Sequence, residues 1–112
     1  MEIAQVEAGG SLVVAPVGRV DSTTSDALER ALAAAVDGGA RRMVVDFTGV
    51  TYISSVGLRV LLVVAKRMRT ERGTLVLCGL GDAVRQVFDL AGFLPLFTVE
   101  PTRELAVKRA AV

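Results

Sequence analysis

Hydrophobic and polar positions change period several times along this chain, and each change marks an element. Ile3 to Val6 and Leu12 to Val17 are short apolar stretches on either side of Gly9-Gly10-Ser11, a pattern that predicts a hairpin because glycine accepts the positive φ of a tight turn. The polar run Gly18 to Asp26 follows, with Ser22 or Thr23 placed to cap a helix. Ala27, Leu28, Ala31, Leu32, Ala35 and Val36 then recur at helical spacing with Glu29 and Arg30 facing outward, and Gly38-Gly39 ends the run. Met43 to Phe47 reads as a strand buried on both faces, and Gly49 to Ser55 as a loop.

Beyond it, Leu58, Leu61, Leu62, Ala65 and Met68 keep a helical period, with Arg59, Lys66, Arg67 and Arg69 mostly opposite, to about Glu71. Val60, Val63 and Val64 favour strands slightly, but length and charge pattern decide for a helix. Gly73 ends it, Leu75 to Cys78 is a further strand, and Gly79 to Gly81 turns into a helix carrying Val84, Val87, Phe88 and Ala91 that closes at Gly92. A short strand from Phe97 to Val99 and a helix from Pro101 or Thr102, with Lys108 and Arg109 in its last turn, complete the pattern. Strands that alternate with helices imply parallel crossovers. The expected architecture is therefore a single α/β domain over residues 1–112, a mixed sheet of four or five strands flanked by about four helices.

Composition narrows the function more than the fold. With 112 residues, 13 basic against 12 acidic side chains and a formal net charge of +1, the chain has no field suited to nucleic acid or anionic lipid, so proteins are the expected partners, with no direct nucleic-acid contact. Charges interrupt every apolar run, so no membrane span is expected, and the start Met1 to Gln5 lacks a secretory pattern, which predicts a cytoplasmic setting. One cysteine and no histidine remove the usual catalytic triads and common zinc sites, and no cofactor or metal is expected. An enzyme is the weakest reading: a serine is present without a histidine or a lysine-paired motif.

Individual residues mostly carry structural explanations. Lys66, Arg67, Arg69 and Arg72 sit where cations complement a helix C-terminus. Cys78 reads as a small buried hydrophobe and Gly79-Leu80-Gly81 as a turn without a phosphate-loop lysine, while Asp46 ends a buried-looking strand, where a carboxylate can be structural or serve as a metal or base residue. Phe93 to Phe97 is more apolar than a solvated loop and either folds onto the core or forms a partner surface.

The segment Asp46 to Leu58 compresses a strand, a loop and a helix start into one stretch. Ser54 or Ser55 can cap that helix, and Gly57 would let a partner backbone approach closely, so a serine is displayed at a helix N-terminus. On its own this is no more than a capping serine. The stretch, however, resembles the signature of the STAS domain of anti-sigma factor antagonists, with Asp46 ending the strand and Ser54, Ser55, Val56, Gly57 and Leu58 closing the motif. Gly18 to Ser22, Gly39 to Arg42, Leu75 to Leu77 and Val87 to Gly92 extend the resemblance over nearly the whole chain. Two positions depart from the usual pattern: Ser54 stands where an acidic residue is frequent, and Val56 where serine or alanine is frequent.

The resemblance implies a STAS fold and a non-enzymatic regulator, and it makes Asp46 a loop-organising hydrogen-bond acceptor. It implies phosphorylation at Ser55, the serine two residues before the signature glycine, and a partner surface comprising Asp21, Ser54, Ser55, Val56, Gly57 and Arg59. It further implies that the unphosphorylated form binds an anti-sigma factor serine kinase and frees the sigma factor, that phosphorylation ends this binding, and that a serine phosphatase resets the cycle. Self-association is expected to reach no further than a weak dimer. Two rival roles share the same domain: a scaffold within a large sensory assembly, and an accessory subunit of a lipid transporter.

Overall fold

The computed structural model describes residues 1–112. In chain order the elements are β1 (Glu2–Ala8), β2 (Ser11–Val20), α1 (Ser25–Asp37), β3 (Arg42–Asp46), β4 (Val50–Ile53), α2 (Ser55–Thr70), β5 (Thr74–Cys78), α3 (Asp82–Leu90), a 3-10 turn (Leu94–Leu96), β6 (Thr98–Glu100) and α4 (Arg103–Ala110). The sheet runs β1-β2-β3-β5-β6, with β4 joined to the far half of β2. Only β1 and β2 are antiparallel; every other pairing is parallel. No helix is long and apolar enough to cross a membrane.

Strand alternation splits the core into two layers. Val14, Val45 and Leu77 face α1, α2 and α3, where Leu28, Leu32, Phe47, Leu61 and Phe88 are fully buried. Their neighbours Val13, Val44 and Val76 face the opposite way, onto Ala106 and Ala110 of α4. Each such large side chain contributes about 1.5–3 kcal/mol by leaving water, so the first layer dominates stability. The small alanines of the second let α4 lie close to the sheet.

Three expectations need correction. The sheet has six strands, not four or five, because the expected loop Gly49–Ser55 contains β4. The segment does not alternate: Val50 and Ile53 point inward while Thr51 and Tyr52 are both exposed, and the pairing with β2 shifts register between Gly18 and Arg19. A bulge of this kind erases the period-two signal.

Helix α1 is not capped by Ser22 or Thr23; Thr24 occupies the cap position without a side-chain cap bond. The hydroxyls are engaged elsewhere, Thr23 donating to Asp21 Oδ1 at 2.7 Å and Thr24 to the Arg19 carbonyl at 2.7 Å. On α2 the buried stripe is Gly57, Leu58, Val60, Leu61, Val64 and Met68, while Leu62 and Ala65 are only partly covered. Two of the ambiguous valines thus lie inside the core.

Of the cations at the end of α2, Arg67 pairs with Asp37, and Glu71, just beyond the helix, accepts from Arg41 of the segment before β3 at 2.9 Å. The helix ends in a turn where the Gly73 N–H reaches the Met68 carbonyl at 2.7 Å, and Arg72 takes a positive φ of 60°, the one non-glycine residue to do so. Left-handed backbone is costly for a residue with a Cβ. Arg72→Gly is therefore expected to raise stability by about 0.5–1 kcal/mol, read as a melting temperature higher by a few degrees.

Candidate functional site

Strand β4 runs parallel to β2, with Val20 opposite Ile53. The next residue, Ser54, donates its N–H to the Val20 carbonyl at 2.8 Å, tying the chain down as it turns into α2. Ser54 adopts the extended backbone of a helix cap, its hydroxyl accepts from the Gly57 N–H at 3.3 Å, and its carbonyl accepts from the Leu58 N–H at 3.0 Å. Of the two serines that could cap, Ser54 does so. Ser55 becomes the first helical residue and is exposed. The N–H groups of this first turn have no preceding helical carbonyl to bond, and they aim their partial positive charge at the serine.

Gly57 has a different role from close approach to a partner. It is buried, and a Cβ there would stand 2.7 Å from Val20 Cγ1 and 2.8 Å from Ile53 Cγ1. The glycine is needed so that the start of α2 can sit on the ends of β2 and β4. Its contribution to the surface is indirect: it fixes where Ser55 and Val56 emerge.

Asp21 follows directly on Val20, so the β2–β4 ladder brings it to the same end of the sheet as Ser54 and Ser55. Its carboxylate accepts from the Thr23 hydroxyl and from the Thr23 N–H at 3.0 Å, with Arg19 Nε 3.6 Å away. The Thr23 side-chain bond, then the Thr23 backbone bond, hold its pKa below the ordinary carboxylate value. Arg19 also lies over the ring of Tyr52, 4.3 Å from its centre, so a charged and aromatic strip borders the serine loop.

On the other flank, Ser55, Val56, Arg59, Leu62 and Phe93 line an open groove of about 360 Å³. Val56 is 45% exposed at its mouth. Of the six residues expected at the partner surface, Ser55, Val56 and Arg59 line this groove, and Asp21 and Ser54 lie at the same end of the sheet. Leu62 and Phe93 join the groove, and Arg19 and Tyr52 border the loop; of these four, only Phe93 lies in a segment for which a partner surface is one of the expected roles. Leu62 was expected in the core stripe, and Phe93 arrives from beyond α3 by tertiary folding alone.

The apolar Phe93–Phe97 segment divides between the two roles left open for it. Phe97 packs edge-on against Phe88 at 5.8 Å between ring centres, whereas Phe93 faces the groove. A larger cavity of about 650 Å³, lined by Gly38, Gly39, Arg41 and Arg42 among others, opens by Leu12 at the opposite end of β2 from the serine loop. It shares no residue with the groove.

Asp46 organises the loop that precedes β4. Its Oδ1 accepts from the Thr48 N–H at 2.9 Å and hydroxyl at 2.6 Å, and its Oδ2 accepts from Arg103 Nε at 2.9 Å. Burial pushes its pKa up, but the two Thr48 bonds and Arg103 outweigh that and leave it below the ordinary value. Gly79, at φ +69°, packs against this cluster, where a Cβ would collide with Asp46 and Thr48. Cys78 is buried beside it, and burial together with the Asp46 charge pushes its thiol up to about 12, which makes it inert.

Comparison with known proteins places this architecture. The sequence pattern of the STAS domain matches residues 2–106. BtrV of Bordetella bronchiseptica, a protein named as an anti-sigma factor antagonist, is 46% identical over 106 residues, covering 95% of this chain and 91% of BtrV. The crystal structure of an anti-sigma factor antagonist from Mycobacterium paratuberculosis superposes with a TM-score of 0.91 at 28% identity, covering 99% of this chain and 94% of that one. SpoIIAA, an anti-sigma factor antagonist, has the same fold in its unphosphorylated form at 20% identity and a TM-score of 0.82, covering 98% and 96% of the two chains. With the domain pattern matched from the second residue into α4, and a relative at 46% identity over nearly its full length, this chain belongs to the STAS domain family.

Proposed function

We propose that the chain is an anti-sigma factor antagonist controlled by phosphorylation of Ser55. Unphosphorylated, it binds an anti-sigma factor serine kinase in the cytoplasm and frees the sigma factor; the kinase phosphorylates Ser55 and is released, and a serine phosphatase restores the active form. The chain acts as a binding module and catalyses none of these steps. The relationship to BtrV supports the class of function.

The observation that carries the reading is the division of labour between the two serines. Ser54 holds the cap with its hydroxyl, while Ser55 is exposed beside an apolar groove. A kinase can reach Ser55 without unwinding α2, and a phosphate there meets the positive end of the helix, so the fold tolerates the modification. Val56, Leu62 and Phe93 supply apolar area for a docked partner, with Arg59 as a charged contact in the groove and Asp21 as one on the other flank of the serine loop.

The reading is tested by incubating the chain with ATP and the anti-sigma factor kinase encoded beside its gene, then mapping phosphopeptides. One phosphate on Ser55 is expected, lost in Ser55→Ala and kept in Ser54→Ala. Transfer to Ser54, or stable binding with no transfer to either serine, would overturn it.

A further inference from the structure

The two edges of the sheet are unlike. β6 is three residues long and follows directly on the 3-10 turn. β1 runs for seven residues, five of them exposed, and pairs with β2 in unbroken register from Glu2 opposite Val17 to Ala8 opposite Ser11. Natural edge strands are usually blunted by brevity, proline, a bulge or charged side chains, lysine above all. β1 has no proline, no lysine or arginine and no bulge, and its two charges, Glu2 and Glu7, stand near its ends and leave the middle of the strand uncharged.

The hairpin also fixes which backbone groups face outward. Gly9 and Gly10, at φ 57° and 82°, form a two-residue turn, which makes Ala8 and Ser11 a hydrogen-bonded pair. Bonded pairs then recur at every second residue, so the even-numbered residues of β1 bond to β2. Ile3, Gln5 and Glu7 direct their N–H and C=O groups toward the open edge.

We propose that this edge pairs, antiparallel, with β1 of a second copy of the chain, about a two-fold axis passing through Gln5. Gln5 is the midpoint of the strand, so this register uses all seven residues. It sets Glu2 against Ala8, Ile3 against Glu7, and Ala4 against Val6, and no glutamate faces another. The outward groups of Ile3, Gln5 and Glu7 form about six hydrogen bonds across the axis, and the two Gln5 amides lie side by side, where each can donate to the other.

Side chains on the even face strengthen the pairing. Ala4 and Val6 of β1, with Ala15 and Val17 of β2, make an apolar strip in which Val6 is 49% and Val17 45% exposed. Across the axis, Val6 of one copy covers Ala4 of the other. The register that keeps the glutamates apart while matching Val6 to Ala4 is specific to this strand meeting its own copy, which favours a second copy over an unrelated peptide. A single strand pair buries less than a standard interface, so the dimer is weak, with a dissociation constant at or above the roughly micromolar end of what standard interfaces reach. The serine loop lies at the end of β2 paired with β4, off this edge, so the proposal does not depend on the phosphorylation reading.

Sedimentation equilibrium over a concentration series tests it. The apparent mass of the wild type is expected to rise toward twice the chain mass. Gln5→Lys sets two ammonium groups face to face on the axis, and Gln5→Pro removes an outward N–H; each is expected to weaken association at least about tenfold while leaving the thermal melt of the monomer nearly unchanged.

Cysteine pairing gives an independent check, since Cys78 is buried and does not compete. Bonded pairs in an antiparallel ladder have Cα atoms about 5.5 Å apart, within disulfide range. Gln5→Cys should therefore oxidise to a covalent dimer. A mixture of Ala4→Cys and Val6→Cys should crosslink to each other, and Ala4→Cys alone should not. A wild type that stays monomeric near about 1 mM, far above that micromolar end, would overturn the proposal. So would crosslinking indifferent to position, or a Gln5→Lys variant that associates as the wild type does.

Discussion

Chain carrying phosphoserine at position 55 is expected to bind its kinase partner at least about a hundredfold more weakly than the unmodified chain, with its own melting temperature almost unchanged. The hundredfold corresponds to about 2.7 kcal/mol. A phosphoserine brings roughly −1.5 to −2 charges, and seating it against a partner that supplies no cation leaves a desolvated charge unpaired, which costs several kcal/mol. The folded chain bears little of that cost. Ser55 is exposed, and the first turn of α2 offers its N–H groups and dipole, which favour an anion by about 0.3–1 kcal/mol.

Isothermal titration calorimetry on genetically encoded phosphoserine separates the two effects, because no kinase reaction is needed to make the sample. Ser55→Ala is expected to bind as the wild type does. Ser55→Asp, with one charge and a shorter reach, should fall between them, weaker by about tenfold. Equal affinity of the phosphorylated and unmodified forms would remove the switch even if the kinase does modify Ser55.

How far the residues announced this arrangement depends on the kind of signal each carried. β3 and β5 are plain in the sequence because Met43 to Val45 and Leu75 to Cys78 are continuous apolar runs bounded by polar or glycine punctuation. The hairpin is equally plain from Gly9-Gly10. β4 was hidden, since four residues with two adjacent exposed side chains and a register shift have no period to detect. The α1 start is not legible in this way, because Asp21, Thr23 and Thr24 bond within the turn instead of capping the helix, a choice made by the geometry of the turn.

At the site, the exposed serine could be read from the strand–loop–helix pattern, but which of Ser54 and Ser55 capped could not. Both are serine and suit the position equally, and only the pairing of Ser54 with Val20 decides. Leu62 carries no local mark of a groove, and the apolar run Phe93 to Phe97 marks a segment that packs or docks without saying which of its residues does either. The place of Leu62 and Phe93 in the groove depends on how α2 and the segment after α3 pack together, which is information held by the tertiary fold.

Asp46→Ala is expected to destabilise the fold by about 2–4 kcal/mol at neutral pH. Three bonds to a buried carboxylate disappear, and the Thr48 N–H loses the acceptor that shapes the loop leading to β4. Arg103 is partly exposed and recovers water, so most of the loss belongs to Thr48. Because Arg103 opens α4, hydrogen exchange should quicken there and in the loop after β3 before other regions respond.

Titration supplies a second, independent reading of the same site. The folded-state pKa of Asp46 is depressed, so its ionisation stabilises the fold above the unfolded carboxylate pKa of about 3.9, and that contribution is lost as pH falls through the lower folded-state value. Asp46→Asn keeps the shape of the side chain but has no charge to titrate. The stability difference between wild type and Asp46→Asn, from urea unfolding, should therefore be constant from about pH 6 upward and shrink below about pH 4. A difference that stays constant down to acid pH would mean that shape and hydrogen bonding alone, without the charge, hold the end of β3 against Thr48 and Arg103.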